Sequence, residues 1–341
     1  MSPSADCCPL CETPTSALRP WLTMPIDVKK RGAPVDSGAL VWCDACDLGT
    51  TRTQPDDAAL SSAYELSAYY THGGSHMVDL PAGLIDRVLV KAAYLRDSGS
   101  LMDREGLLRR APGARSVLDI GCGNGDFLAA MAGDGRRLVA IEPDPGARAV
   151  AAAKGLEVLP GSAEEPPPEL TGQSFDLITM THVLEHCRDP LRALRNVRDL
   201  LGPNGVFYCE VPNCGATYFR TLAQISEMLD VPRHLHFFTT DSLTGLCRKA
   251  GLQVFDQNYH GYTRHFTASW RGWENSIHAM LAERGVASPS RTPLNSFALL
   301  ARSAWAAPGR KYDCLGIFAR VAPAKGTRAM SMRVRALVNT T

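Results

Sequence analysis

The chain has 341 residues, 45% of them hydrophobic, with 36 basic side chains against 35 acidic ones. That is enough apolar material for a full domain core, while a net charge of +1 gives neither the field of a nucleic-acid binder nor that of an acidic-membrane binder, so a small-molecule partner is expected. No apolar run reaches the ~18 residues of a membrane span and the start lacks a basic-then-apolar leader, so a cytoplasmic protein with no membrane partner is expected.

Five of the eleven cysteines fall before residue 50, in a proline-containing stretch with little helical periodicity. Residues 1–52 are expected to form a compact unit, and 53–111 a helical linker or lid in which Leu84, Val88, Ala92 and Leu95 recur at three- and four-residue spacing. From 112 to 323 short apolar runs alternate with helical stretches, the pattern of a doubly wound parallel α/β sheet covered on both faces. The runs are Ser116–Ile120, Leu138–Ile141, Leu156–Leu159, Phe175–Met180, Val206–Val211, Leu252–Gln257 and Cys314–Val321. Helices are expected over Asp126–Ala132, Gly146–Lys154 and Pro190–Leu201, the last stopped by Gly202-Pro203, and another is capped by Thr240 or Asp241. Residues of about 260–311 read as an insertion with two helices, around Trp273–Arg284 and Pro293–Ala306, a substrate wall. The tail 324–341 carries Lys325, Arg328, Arg333 and Arg335 with no acid.

The strongest motif is Asp119-Ile120-Gly121-Cys122-Gly123-Asn124-Gly125-Asp126, a strand running into a glycine loop and then a helix. Glycines let the backbone turn sharply and let a ligand approach without Cβ atoms in the way. A dinucleotide loop wants its third glycine or alanine where Asp126 stands, and Asp119 at the strand end would repel a pyrophosphate but suits a ligand bearing an ammonium group. Glu142, followed by Pro143, ends the next strand, where a carboxylate can accept ribose hydroxyls. Gly161-Ser162-Ala163-Glu164 follows the third strand, at the expected adenine position.

With His182-Val183-Leu184-Glu185-His186, Glu210-Val211-Pro212-Asn213 and Arg233-His234-Leu235-His236-Phe237-Phe238-Thr239, these residues resemble the class I S-adenosylmethionine (SAM)-dependent methyltransferases over roughly 112–322. The resemblance implies a Rossmann-like methyltransferase sheet, with SAM held by Asp119, Gly121, Cys122, Gly123, Asn124, Gly125, Glu142, Pro143, Ser162, Ala163, Thr181 and His182. Relatives commonly have Asp where this chain has Ser162, so backbone contacts are expected to serve the adenine. Tyr69, Tyr70 and His72 resemble the aromatic lid segment of related enzymes, with Tyr70 closing over the cofactor; a helix-end aromatic cluster is the other reading.

Methyl transfer is an in-line displacement that needs collinear placement in a dry pocket, and a hydroxyl acceptor is helped by a base. His182, His186, His234 and His236 lie in loops at the carboxyl ends of strands and are the candidates, with His236 or His234 favoured. His182 is expected nearest the cofactor's side chain, and His186 on the same helical face, where it packs or bonds backbone. The spacing of His182, Glu185 and His186 is not that of the zinc protease motif, so no metal is expected there.

Cys8-Pro9-Leu10-Cys11 and Cys43-Asp44-Ala45-Cys46 are two Cys-x-x-Cys knuckles, a spacing that forms a closed tetrahedral zinc site with a structural or recognition role; a redox pair or free thiols are the other readings. The arrangement, with the trailing Cys46-Asp47-Leu48-Gly49, resembles the zinc module of sugar C-methyltransferases. Those enzymes carry a further C-terminal domain for which this chain has no room, so a hydroxyl is expected ahead of a carbon, on a small metabolite or sugar-containing natural product. Residues 1–60 hold eight acids and five bases, a net of −3, which argues against ribosomal RNA base methylation and against a nucleic-acid partner. Cys122, Cys187, Cys209, Cys214, Cys247 and Cys314 read as small core fillers. An NAD(P)-dependent oxidoreductase would want the missing third glycine, and an inactive zinc scaffold would not need Asp119 and Glu142. Oligomeric state and acceptor are not readable.

Overall fold

The computed structural model describes residues 6–36, 38–64 and 79–323. Its centre is a seven-stranded sheet of β1 (Ser116–Ile120), β2 (Arg137–Ile141), β3 (Glu157–Leu159), β4 (Phe175–Thr181), β5 (Leu201–Pro212), β6 (Leu252–His260) and β7 (Cys314–Val321). The spatial order is β6-β7-β5-β4-β1-β2-β3. In this sheet β7 pairs antiparallel with both of its neighbours, β5 and β6, while β1 to β5 pair in parallel. The chain order reverses between β1 and β4, and in such sheets that switch point opens a crevice at the carboxyl ends of the strands.

Local chemistry accounts for these elements. Val117, Leu118, Val139, Ala140 and Ile141 are all fully buried, as strands covered on both faces require. Pro190 opens the helix Pro190–Leu200 behind an Asp189 cap that accepts from the Arg192 amide, and its Leu191, Leu194 and Val197 face the core. The helix Thr240–Ala250 is capped by Thr239 and closed by Gly251 in the left-handed region.

Four expectations need correction. The helix Thr240–Ala250 takes its cap from Thr239, not from Thr240 or Asp241, both of which lie inside it. The period of the helix Leu84–Tyr94 was right but not its face: Asp86, Leu89 and Ala93 are buried, while Leu84 and Leu95 stay more than 70% exposed. Gly202-Pro203 does not separate helix from strand, since β5 already begins at Leu201 and a pairing irregularity between Leu201 and Val206 absorbs both residues. Finally, β6 continues past Gln257 to His260, because β7 pairs with it along its whole length.

The cysteine-bearing segment packs into the same core. Its strands Arg19–Thr23, Ala39–Cys43 and Leu48–Thr51 form an antiparallel sheet whose fourth strand is His236–Phe237, with Thr50 opposite His236 and Gly49 opposite Phe237. Cys8, Val41, Cys43 and Leu48 share one apolar cluster with Leu243, Leu246 and the strands β4 and β5. Lys249 donates to the carbonyls of Pro9 and Leu10. The aromatic segment Tyr69, Tyr70 and His72 and the tail 324–341 lie outside the described residues.

Candidate active site

The first half of the site is a bare bend. Gly121, Gly123 and Gly125 have φ of 73°, 53° and 80°, values that L side chains rarely adopt. A Cβ on Gly121 would stand 2.4 Å from Cγ2 of Val183, so the bend lies directly against the loop after β4. Asn124 braces it through both of its amide atoms on Asp126, and Lys154 donates to the Asn124 carbonyl. Cys122 is buried and packs with Leu128 and Ala140.

Two carboxylates flank this bend. Asp119 is buried and accepts from the Thr179 hydroxyl at 2.7 Å; burial, with the Glu142 charge adding to it, pushes its carboxyl up to about 7. Glu142, also raised by burial, spreads its oxygens over the amides of Gly123 (2.8 Å) and Asp144 (2.9 Å), leaving Pro143 exposed beside it. Beyond β3 the Ser162 hydroxyl accepts from the Glu165 amide, and Asn196 holds the carbonyls of Ala163 and Glu164. This loop is thus shaped by its own hydrogen bonds, with Ala163 buried.

The second half lies at the carboxyl ends of β4 to β6. Thr181 ends β4 opposite Glu210, and the next residue, His182, has φ of 54°, a left-handed backbone uncommon for a non-glycine residue. Its ring is held between two carboxylates: Nδ1 is 3.2 Å from Glu185 and Nε2 is 3.5 Å from Glu210. His260 brings Nε2 to 3.0 Å from the same Glu210 oxygen, and the Tyr208 hydroxyl donates to the other at 2.5 Å. Cys314 is the residue paired with His260 across β6 and β7, and Arg264 donates to its sulfur at 3.2 Å while gripping Asp313 with two nitrogens.

Burial works against every charge here, yet the contacts outweigh it. Cys314, Glu185 and Glu210 hold His182 well above the ordinary histidine range, Cys314 and Glu210 raise His260 to about 10, and the two imidazoles hold Glu210 well below the ordinary carboxylate range.

The remaining histidines are placed differently. His186 does not share a helical face with His182: it ends a short 3-10 turn and turns its Nδ1 toward the Tyr64 hydroxyl and the Arg233 carbonyl, both at 3.0 Å. His234 stacks edge-on to His186, 4.7 Å between ring centres, and bonds the Met228 carbonyl. His236 is in the strand that completes the small sheet, its Nδ1 3.1 Å from the Thr50 hydroxyl. So His234 and His236 diverge, and burial depresses both to about 4, for His234 with the neighbouring His186 adding to the effect. Ligand atoms of Glu185, His186 and His234, and of His182, Glu210 and Cys314, each lie within 4.8 Å of one another.

Sequence reasoning named His182 as a site residue, took Glu210 only as part of a motif and Cys314 as a core filler, and did not name His260. Glu210 follows an apolar run and was readable as a strand-end acid; His260 and Cys314 gave no local signal, because the pairing of β6 with β7 brings them together. Cys314 is accordingly no mere core filler.

On the far side of the core, the sulfurs of Cys8, Cys11, Cys43 and Cys46 all lie within 4.8 Å of one another, with 3.6 Å between Cys11 and Cys43, and no disulfide is formed.

A sheet of this order with a glycine bend and acids at its first two strand ends defines a nucleoside-binding α/β enzyme. A methyltransferase-domain family model matches residues 83–257, so the chain belongs to that family and carries a SAM-dependent methyltransferase domain. Among similar curated proteins is the ubiquinone biosynthesis O-methyltransferase of Ruegeria pomeroyi, 34% identical over 41% of this chain and 61% of that protein. The protein of the same name from Dinoroseobacter shibae is 32% identical over 49% of this chain and 68% of its own length. Solved structures with a related trace include the CcbJ methyltransferase of Streptomyces caelestis, 14% identical, covering 68% of this chain and 96% of that one, with a TM-score of 0.39. Among the described residues no helix is long and apolar enough to cross a membrane.

Proposed function

We propose that this protein moves a methyl group from SAM to a hydroxyl of a small metabolite. The observation that carries the reading is the pair of buried acids, Asp119 and Glu142, on adjacent strand ends across a bend that side chains cannot occupy. Asp119 suits the ammonium group of the amino acid portion and Glu142 the ribose hydroxyls, exchanging its amide partners for them. The backbone of Gly121, Cys122, Gly123, Asn124 and Gly125, with Pro143, would border the sugar, Ser162 and Ala163 the adenine, and Thr181 and His182 the methyl-bearing end. Tyr70 is the proposed lid. When bound, SAM supplies an electrophilic methyl carbon; the protein's task is to align an acceptor oxygen with it and exclude water.

The hydroxyl acceptor is favoured by the names of the relatives, which are O-methyltransferases. Of the sequence candidates, His182 is the histidine beside the glycine bend, while the bonds of His186, His234 and His236 favour positioning roles. The four cysteines fit a structural zinc ion: a tetrahedron with sulfur at about 2.3 Å from the metal has edges of about 3.8 Å, near the 3.6 Å between Cys11 and Cys43. Such a closed site would staple the N-terminal segment and take no part in the chemistry. Methyl-labelled SAM offered with a panel of phenols, catechols and sugars tests the reading. Label recovered as an ether supports it; label transfer to none of them, or only to carbon or nitrogen, contradicts it.

A further inference from the structure

Three donors of different chemistry meet where the loop after β4, the end of β5 and the start of β7 come together. A ring nitrogen of His182, a carboxylate oxygen of Glu210 and the sulfur of Cys314 all lie within 4.8 Å of one another, and Glu210 and Cys314 are buried. The 3.5 Å between His182 Nε2 and Glu210 Oε1 is near the ~3.4 Å edge of a tetrahedron whose nitrogen and oxygen stand ~2.1 Å from a metal.

Each donor is held from behind. His182 donates from its other nitrogen, Nδ1, to Glu185 at 3.2 Å, the kind of contact that orients an imidazole toward a metal. Its amide donates to the Glu210 carbonyl and its backbone is left-handed, so the ring is tied to the end of β5. The second Glu210 oxygen accepts from Tyr208, and Arg264 donates to the Cys314 sulfur. Gly316, opposite Glu210 on β7, leaves room for this, since a Cβ there would meet the Tyr208 hydroxyl at 2.7 Å.

His260 supplies an independent sign. Its Nε2 is sealed from solvent and makes no hydrogen bond, although it stands 3.0 Å from Glu210 Oε1 and its ring is in contact with Cys314. A buried nitrogen in that position lacks a partner, and an ion drawn onto Oε1 would bring it one. Nitrogen and sulfur donors suit zinc or cobalt, whereas magnesium and calcium take oxygen. One carboxylate and one thiolate also neutralise a divalent ion, so the loaded site leaves no bare charge in the interior.

We propose that His182, Glu210 and Cys314, with His260 as the fourth donor once its ring closes on the ion, bind a divalent ion of the zinc class, in addition to the one assigned to the four cysteines. His182, with 32% of its side chain exposed, leaves a way in from solvent. The ion takes the place of protons on the imidazole nitrogens and the thiol, and those protons go to solvent. Once bound, it clamps the loop after β4, whose Val183 lies against the glycine bend, to β5, β6 and β7.

The test strips the untagged full chain of metal with a chelator under reducing conditions and reloads it with Co(II) or Zn(II) alone. Two ions per chain are expected. X-ray absorption of the zinc-loaded wild type should show imidazole scattering, which four cysteines cannot give and which needs no variant. Cys314→Ser and His182→Gln, each checked for a cooperative melting transition, should lower the affinity of one cobalt equivalent about tenfold or more while the other keeps its all-thiolate spectrum. A sulfur-only environment in the wild type, a chain that takes up no ion, or uptake unaltered in either variant overturns the proposal. A single ion with imidazole among its ligands, lost in Cys314→Ser, would instead sink the cysteine-site reading alone.

Discussion

Arg233 and Asp27 meet as a two-pronged ion pair sealed from solvent, their contacts 2.7 and 2.9 Å long, across 206 residues of sequence. Arg233 also grips Asp230, which in turn accepts from Lys29, so both partners of the N-terminal segment end in the loop that carries His234. Breaking one side of a buried pair leaves an uncompensated charge, a loss of roughly 3–5 kcal/mol. Asp27→Ala should therefore lower stability by an amount in that range in chemical denaturation, more than removal of an exposed pair such as Arg19 with Asp44. Equal effects from the two variants would count against a shared core.

The thiol cluster predicts about one zinc ion per purified chain, with Cys43→Ser or a strong chelator lowering the melting temperature and exposing the segment to protease. Metal analysis near zero in well-folded protein would reject the site.

Asp119 gives a pH dependence with a definite sign. Its folded-state carboxyl is raised to about 7, against an unfolded value of about 3.9, so between these the native state holds the extra proton. Its contribution to stability is therefore complete below about pH 4 and is lost as pH rises through about 7. A ligand ammonium reverses the balance, because it pairs with the ionised form: affinity for S-adenosylhomocysteine should increase from pH 6 to pH 8 in the wild type and change less in Asp119→Asn. Equilibrium dialysis across that range checks it; parallel curves for the two proteins would refute it.

Gly121→Ala should both strain the left-handed backbone and drive a methyl group into Val183, which stands 2.4 Å from its position. Strain of this kind costs about 1–3 kcal/mol. The expected outcome is a lower melting temperature and a tenfold or greater loss of cofactor affinity, by about the same free energy; unchanged binding would mean that the bend is not the cradle.

How far the sequence discloses this molecule depends on the range of the interactions involved. The strands β1, β2, β4 and β7 and the glycine bend follow from contiguous residues, because burial on both faces and positive φ leave marks on neighbouring positions. The face of Leu84–Tyr94 did not, since Asp86 is buried against Arg271, a partner 185 positions away that lets an acid lie on the inner face. Likewise, the polar centre of the site needs β6 and β7 in register before His260 and Cys314 meet, and nothing near either residue encodes that register. His236 illustrates the converse: its position in a histidine-rich loop suggests chemistry, and nothing near it in sequence announces that it pairs with Thr50 in a strand, its Nδ1 against that hydroxyl.

The claim beneath all of this is that a sulfonium nucleoside occupies the cleft between Asp119 and Glu142. Calorimetric titration of the full chain with S-adenosylhomocysteine at pH 8 measures it directly. Saturable binding at one molecule per chain, weakened at least tenfold by Asp119→Asn, is the predicted result; folded protein that takes up no ligand, or a variant that binds as tightly as the wild type, would contradict it.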